Sequence, residues 1–176
     1  MRPLLNKESL TRFLEEFGKK IPGEGKIYLT GGATALLLGW REMTVDVDIK
    51  ADPEPQGYFE SIAELKDSFP INIELASPEM FIPALPDWKD RSIFISRHGN
   101  IDFYHYDLYS QAIAKLERGH PRDIDDVESM SRNGLLNPSS LLDLFTQIEP
   151  RLIEYPSIEA SSLLKTIHDW CQNHLA

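Results

Sequence analysis

Residues 27 to 49 constrain the fold of this chain most, because they combine a strand, a glycine turn, a short helix and a second strand. The first strand ends at Gly31 and Gly32, and the second carries Asp46 and Asp48 between apolar residues. Successive side chains of a strand point to opposite faces, so the two aspartates share a face, with Cα atoms about 6–7 Å apart. Two such carboxylates repel each other unless a cation lies between them. Mg²⁺ suits this position, since proteins usually hold it with one or two carboxylates and substrate phosphates.

The glycine pair supplies the other half of a predicted phosphate site. Gly31 and Gly32 lack a Cβ atom, so a ligand can approach their backbone closely. The helix predicted to begin near Ala33 offers N–H groups and the positive end of its dipole to an anion. A phosphate cradle and a carboxylate pair joined by one short helix together predict a nucleotide site.

This stretch resembles the signature of the nucleotidyltransferase superfamily related to DNA polymerase β. Residues 29–32, Leu-Thr-Gly-Gly, open the signature, and residues 46–49, Asp-Val-Asp-Ile, close it after a spacer of thirteen residues. More narrowly, the chain is similar to small bacterial nucleotidyltransferases associated with abortive-infection and toxin–antitoxin systems, which often carry an arginine in the spacer, here Arg41.

The resemblance implies roles for individual residues. Asp46 and Asp48 would hold Mg²⁺ or Mn²⁺, and a third carboxylate would complete the metal shell or act as general base. Glu74, on a later predicted strand, is the best match for that carboxylate, and Asp102 is the alternative. The predicted nucleotide-binding residues are Gly31, Gly32, Thr34, Arg41, Lys115, Asp123 and Asp126.

Lys115 and the later segment Arg122–Asp126 match the order of a lysine and an Arg-Asp-x-x-Asp segment in the toxin-type relatives. In those relatives the lysine meets the nucleotide phosphates and an aspartate orients it or belongs to the metal shell. A solvated helix lysine is the alternative for Lys115. For Asp123 and Asp126 the alternative is stabilisation of a helix N-terminus, since carboxylates there contribute about 0.3–1 kcal/mol each.

The remaining pattern predicts an α/β (α+β) fold, a nucleotidyltransferase-like mixed sheet flanked by helices and followed by a C-terminal helical region. Apolar stripes at helical spacing predict a helix over residues 8–20, and alternation predicts a strand over residues 71–75. We expect a catalytic core over residues 1–107 and a helical region over 108–176 packed on it. The last apolar stripe, within residues 158–175, suits packing on the preceding helices or a homodimer interface.

Composition limits the function classes. The formal net charge of −10 argues against a surface generally coated by nucleic acid, although a local basic groove remains compatible with it. No run of eighteen apolar residues and no signal-peptide pattern occur, so we expect a cytoplasmic protein without a membrane span. Cys171 is the single cysteine, which excludes an internal disulfide.

The sequence therefore predicts an enzyme of the phosphotransferase class that moves a nucleoside monophosphate from an NTP to an acceptor hydroxyl. The resemblance leaves the acceptor open between an RNA or tRNA end, a protein and a small molecule, and it suggests a cognate partner protein in a toxin–antitoxin or phage-defence system. The alternative is a non-catalytic nucleotide-binding or antitoxin-like module that keeps the fold.

Overall fold

The computed structural model describes residues 3–175, which divide into two units. The first unit comprises the chain up to Ser77 together with Ser92–Tyr106, and the second comprises Pro78–Arg91 together with the chain from Asp107 onward. The predicted boundary after residue 107 falls one residue beyond the end of the first unit. The segment Pro78–Arg91 differs more, because the sequence placed it in the core, whereas it belongs to the helical unit.

The first unit is built on a five-stranded sheet in the order β3-β2-β1-β5-β4. Its strands are β1 (Gly25–Thr30), β2 (Asp46–Ala51), β3 (Asn72–Leu75), β4 (Ile93–His98) and β5 (Ile101–His105). β1 pairs antiparallel with β2 and parallel with β5, β2 pairs parallel with β3, and β4 pairs antiparallel with β5. The predicted mixed α/β fold is confirmed.

Helices occur in both units of the described chain. They are α1 (Lys7–Lys20), α2 (Gly31–Leu38), α3 (Tyr58–Ser68), α4 (Trp88–Arg91), α5 (Leu108–Arg118), α6 (Pro121–Arg132), α7 (Pro138–Ile148) and α8 (Ala160–His174). Short 3₁₀ helices cover Pro78–Met80 and Glu149–Glu154. Within residues 3–175, no helix is long and apolar enough to span a bilayer.

The core of the first unit lies on one face of the sheet, under α1 and α3. α1 begins at the N-cap Asn6, whose side chain accepts from the backbone N–H of Ser9 while the Ser9 hydroxyl accepts from the backbone N–H of Asn6. This reciprocal pair satisfies two N–H groups that would otherwise lack partners. The inward stripe of α1 meets alternate strand residues in one apolar cluster, which includes Phe13, Phe17, Ile27, Leu29, Val47, Ile49, Ile73, Ile101 and Phe103. The opposite face, which we call the non-core face, carries the polar strand residues.

The second unit packs its helices around α5. The apolar stripe of this helix, from Leu108 to Leu116, is buried. α7 and α8 contribute Leu141, Phe145, Leu163 and Ile167 to the interior. Cys171 is also buried, and burial raises the pKa of its thiol.

Candidate active site

The two aspartates of β2 lie on the non-core face, as the alternation of the strand predicts. Val47 and Ile49 are buried in the apolar cluster, while Asp46 and Asp48 are half-buried on the other side. Asp48 lies opposite Thr30, the last residue of β1. The pairing of β1 with β2 therefore carries the carboxylates to the end of β1 where the glycine turn begins.

β3 brings Glu74 beside this pair. In the parallel pairing of β2 and β3, Asp46 aligns with Asn72 and Asp48 aligns with Glu74. The Asn72 side-chain amide donates to Asp46 Oδ1 at 2.6 Å and to Glu74 Oε1 at 3.0 Å. No role was predicted for Asn72 from the sequence. In the structure it links two of the predicted site carboxylates.

Asp102, the alternative third carboxylate, lies farther from the pair. It is on β5, which is separated from β2 by β1. Its Oδ1 accepts from the Arg97 guanidinium at 2.9 Å. Glu74 is thus on the strand adjacent to Asp48, whereas Asp102 is two strands away.

The donor chemistry of the aspartate pair fits a magnesium ion. Two half-buried carboxylates on one face match the protein ligands that Mg²⁺ usually takes together with substrate phosphates. Among residues 3–175, however, no three acidic, histidine or cysteine side chains converge as a metal-binding group. Glu74 is held by Asn72 in this arrangement, so the predicted three-carboxylate shell is not assembled in the structure.

Gly31 joins the glycine turn to the carboxylates. Its φ angle of +62° lies in the left-handed region, which glycine adopts readily and other residues disfavour. A Cβ atom at this position would lie 2.9 Å from Asp48 Oδ2. The turn at the start of α2 and the Asp48 carboxylate are therefore in immediate contact, as a combined phosphate and metal site requires.

We expect Gly31→Ala to reduce nucleotide binding much more than stability. The left-handed backbone costs a non-glycine residue roughly 1–2 kcal/mol, and the added methyl group displaces the Asp48 carboxylate. Thermal melting should show a modest loss, while titration with Mg²⁺–NTP should show little or no binding. Gly134→Ala is a matched control, since Gly134 has φ +70° with open space around its Cα. Equal NTP affinity in the two variants would contradict a phosphate-binding role for the turn.

Packing inside the protein gives a reason for glycine at position 32 in addition to the predicted ligand contact. A Cβ atom there would collide with the Thr44 hydroxyl and lie 3.3 Å from the Arg41 guanidinium. The Thr44 hydroxyl in turn donates to the backbone carbonyl of Asp46. The space beside the Gly32 Cα is therefore taken by protein atoms that connect the glycine turn to the start of β2. Nucleotide contact by the Gly32 backbone and by Arg41 stays a prediction.

Thr34 is fully buried one turn into α2. Its hydroxyl donates to the backbone carbonyl of Leu29 and lies 3.0 Å from His105 Nδ1. The same hydroxyl is therefore within hydrogen-bond distance of both the end of β1 and the imidazole. Thr34 thus ties α2 to the ends of β1 and β5. Its predicted contact with a nucleotide remains untested.

We expect His105 to make the protein less stable in mild acid. Burial lowers the pKa of His105 to about 4, whereas an unfolded histidine has a pKa near 6.5, so only the unfolded chain takes up the proton between these values. The contribution of neutral His105 to stability is fully present above pH 6.5 and is lost as the pH falls toward 4. When the pH falls from 7 to 5, protonation of His105 in the unfolded chain should lower the free energy of unfolding by roughly 2 kcal/mol. Urea titrations of wild type and His105→Asn at both pH values measure it, and an equal pH dependence in the two proteins would contradict it.

Lys115 is buried within the helical unit, so the interpretation as a solvated lysine does not apply. It is 4% exposed, and its Nζ donates to Asp123 Oδ1 at 3.0 Å and to Asp126 Oδ2 at 2.8 Å. Asp123 lies in the first turn of α6 and Asp126 one turn later. The predicted lysine and Arg-Asp-x-x-Asp segment are therefore brought together in space.

Arg118 forms the partly exposed side of this cluster. Its guanidinium donates to Asp123 Oδ1 at 2.7 Å and lies 4.9 Å from the centre of the Phe81 ring. Burial alone would raise the pKa of Asp123, but Lys115 and Arg118 outweigh it and hold that pKa below its usual value. Asp123 is thus a carboxylate between two cations, an arrangement that fixes the orientation of both.

The chain was compared with known proteins. The family described as "Nucleotidyltransferase of unknown function (DUF6036)" matches residues 9–168, which include all the site residues discussed above. Comparisons with curated proteins and with solved structures gave no match. Since the matched region spans most of the chain, this protein belongs to that nucleotidyltransferase family.

Proposed function

We propose that this protein transfers a nucleoside monophosphate from an NTP to an acceptor hydroxyl, with Mg²⁺ or Mn²⁺ as the metal. The observation that carries the proposal is the contact between the Gly31 turn and the Asp48 carboxylate, beside Asp46 on the same strand face. Family membership makes nucleotidyl transfer the coarse expectation. The turn and the carboxylates supply the local chemistry that such a transfer needs.

In the proposed reaction the acceptor oxygen attacks the α-phosphorus of the NTP. A new phosphorus–oxygen bond forms, the bond from the α-phosphorus to the oxygen bridging to the β-phosphate breaks, and pyrophosphate leaves. Glu74, adjacent to Asp48, accepts the proton of the attacking hydroxyl. The N–H groups at the start of α2 bind the triphosphate.

Asp46 and Asp48 would hold the metal, which supplies charge neutralisation at the phosphates. The proposal assigns the remaining contacts with the phosphates to cationic side chains. In the proposal the ammonium of Lys115, oriented by Asp123 and Asp126, meets the phosphates, as in the toxin-type enzymes that the chain resembles. Arg41, beside the glycine turn, is a second candidate for a phosphate contact.

Labelled nucleotides test the proposal directly. The protein is incubated with each of the four NTPs, labelled at the α- or the γ-phosphate, with Mg²⁺ and total cellular RNA or total protein. We expect α-label in one of the acceptor fractions, γ-label only in pyrophosphate, and no transfer with EDTA. Transfer of γ-label would indicate a kinase. Tight NTP binding without transfer to any acceptor would favour the non-catalytic module instead.

A further inference from the structure

A row of aromatic side chains crosses the non-core face of the sheet, and the nucleotide site does not use it. Tyr28 on β1, Tyr104 on β5 and Phe94 on β4 occupy aligned positions on three neighbouring strands. The ring centres of Tyr28 and Tyr104 are 5.3 Å apart and the rings are stacked, while Phe94 meets Tyr104 edge to face at 5.6 Å. These three residues, the aromatic row, lie opposite the apolar cluster of the unit.

The outer end of the row is accessible. Phe94 is 55% exposed and Tyr104 is half-buried, although aromatic residues gain most by full burial. Rings that remain exposed beside a catalytic site offer flat surfaces on which nucleobases stack, and such stacking tolerates any base sequence.

Cations accompany the row on the side away from the carboxylates. The Lys26 ammonium lies 5.7 Å from the centre of the Tyr104 ring. Arg97 on β4, whose side chain is 53% exposed, lies directly opposite Asp102 on β5 and forms an ion pair with it. Exposed cations next to exposed rings suit a phosphate backbone, whereas they repel a polycationic acceptor such as an aminoglycoside.

The aromatic row lies close to the carboxylates on the same face of the sheet. Asp48 aligns with Thr30, and Tyr28, two residues before Thr30, aligns with Tyr104. Two residues along a strand correspond to about 7 Å, and two strand spacings to about 10 Å, which places Tyr104 about 12 Å from Asp48. Three or four stacked nucleotides, at about 3.4 Å each, span that distance.

From this geometry we infer that the acceptor is the end of a single-stranded nucleic acid. Its bases stack on Phe94 and Tyr104, its phosphates meet Lys26 and Arg97, and its terminal hydroxyl reaches the carboxylate pair. This inference rests on the proposed function and specifies its acceptor class. The local cations reconcile a nucleic-acid acceptor with a chain of net charge −10.

Binding of a fluorescein-labelled single-stranded RNA of mixed sequence, followed by anisotropy, tests the inference independently of catalysis. We expect Phe94→Ala to weaken RNA binding about tenfold and to leave Mg²⁺–NTP binding unchanged. Phe59→Ala is the matched control, because Phe59 on α3 is 52% exposed and lies outside the aromatic row. Lys26→Ala should reduce the slope of log affinity against log salt by about one.

The outcomes separate this inference from the proposed function. RNA binding that Phe94→Ala and Phe59→Ala affect equally would overturn the role of the row, as would a wild-type protein that fails to bind the strand. Transfer of α-label to protein alone would overturn the acceptor class while preserving nucleotidyl transfer. If wild type binds RNA through Phe94 yet transfers no label, the proposed function fails and the binding surface stands.

Discussion

Asp48→Asn is expected to abolish nucleotide transfer, by at least about 10²-fold, and to leave the protein as stable as wild type or more stable. Asn keeps the shape of the side chain but removes the charge that attracts a divalent cation. The substitution also relieves repulsion with Asp46, which shares the face, and with Glu74, which aligns with Asp48 across the sheet. Loss of function without loss of fold is the mark of a residue retained for its chemistry.

Transfer of α-labelled nucleotide and thermal melting, measured on the same preparations, check this expectation. Asp67→Asn provides the control, since Asp67 is an exposed carboxylate on α3. It should match wild type in both assays, because substitutions at such surface positions usually change stability by less than about 0.5 kcal/mol. An Asp48→Asn protein that transfers label at the wild-type rate would remove the metal assignment.

The geometry of the candidate site that could be predicted from sequence follows from local periodicity. Alternation along a strand fixes which side chains share a face, so Asp46 and Asp48 could be placed together without any knowledge of the fold, whereas Glu74 was assigned from the family resemblance. The strand pairing that aligns Asp48 with Glu74 could not be predicted in the same way. It depends on α3, which crosses over between β2 and β3 and makes them parallel neighbours.

The contacts that could not be predicted from the sequence are those between residues far apart in the chain. The packing that favours glycine at position 32 comes from Thr44, twelve residues away. The hydrogen bond from the Asn72 amide to Asp46 joins two residues that are 26 positions apart in the chain. Neither contact leaves a periodic signal. The grouping of Pro78–Arg91 with the helical unit leaves no periodic signal either. Its buried Ile82 and Leu85 occur in irregular chain and Trp88 begins the short helix α4, so no repeat indicates the unit to which these residues belong.

The burial of Lys115 changes the expected effect of its removal on stability. The family resemblance implied that Lys115 is a phosphate ligand, the helix pattern indicated a solvated side chain, and in either case its loss would cost little stability. The structure instead shows one ammonium between two carboxylates, all three nearly excluded from water. Removing one member of a buried ionic group leaves the others uncompensated, which typically costs 3–5 kcal/mol. Stability and catalysis must therefore be separated in any test of this residue.

We expect Lys115→Met to lower the free energy of unfolding by about 3–5 kcal/mol, because Asp123 and Asp126 lose their shared counter-charge. Adding Asp123→Asn and Asp126→Asn should restore part of that loss, since neither buried carboxylate charge then remains without Lys115, although Arg118 loses its partner Asp123. Urea titrations measure both changes. Lys165→Met is the control, because Lys165 pairs with Asp169 on the exposed side of α8 and should change stability by less than about 1 kcal/mol.

If the Lys115 ammonium meets the triphosphate, the restabilised triple variant should still transfer nucleotide at least about tenfold more slowly than wild type, since charge-stabilising groups of this kind are worth about 10²–10³ in rate. The Asp123→Asn/Asp126→Asn variant, which keeps the lysine, shows how much of the slowing comes from the carboxylates alone. Transfer of α-label per folded molecule, measured well below the melting temperature of each variant, gives the comparison. A triple variant that regains both stability and the wild-type rate would confine Lys115 to holding α5 against α6, and would leave the aspartate pair and the glycine turn as the whole of the proposed chemistry.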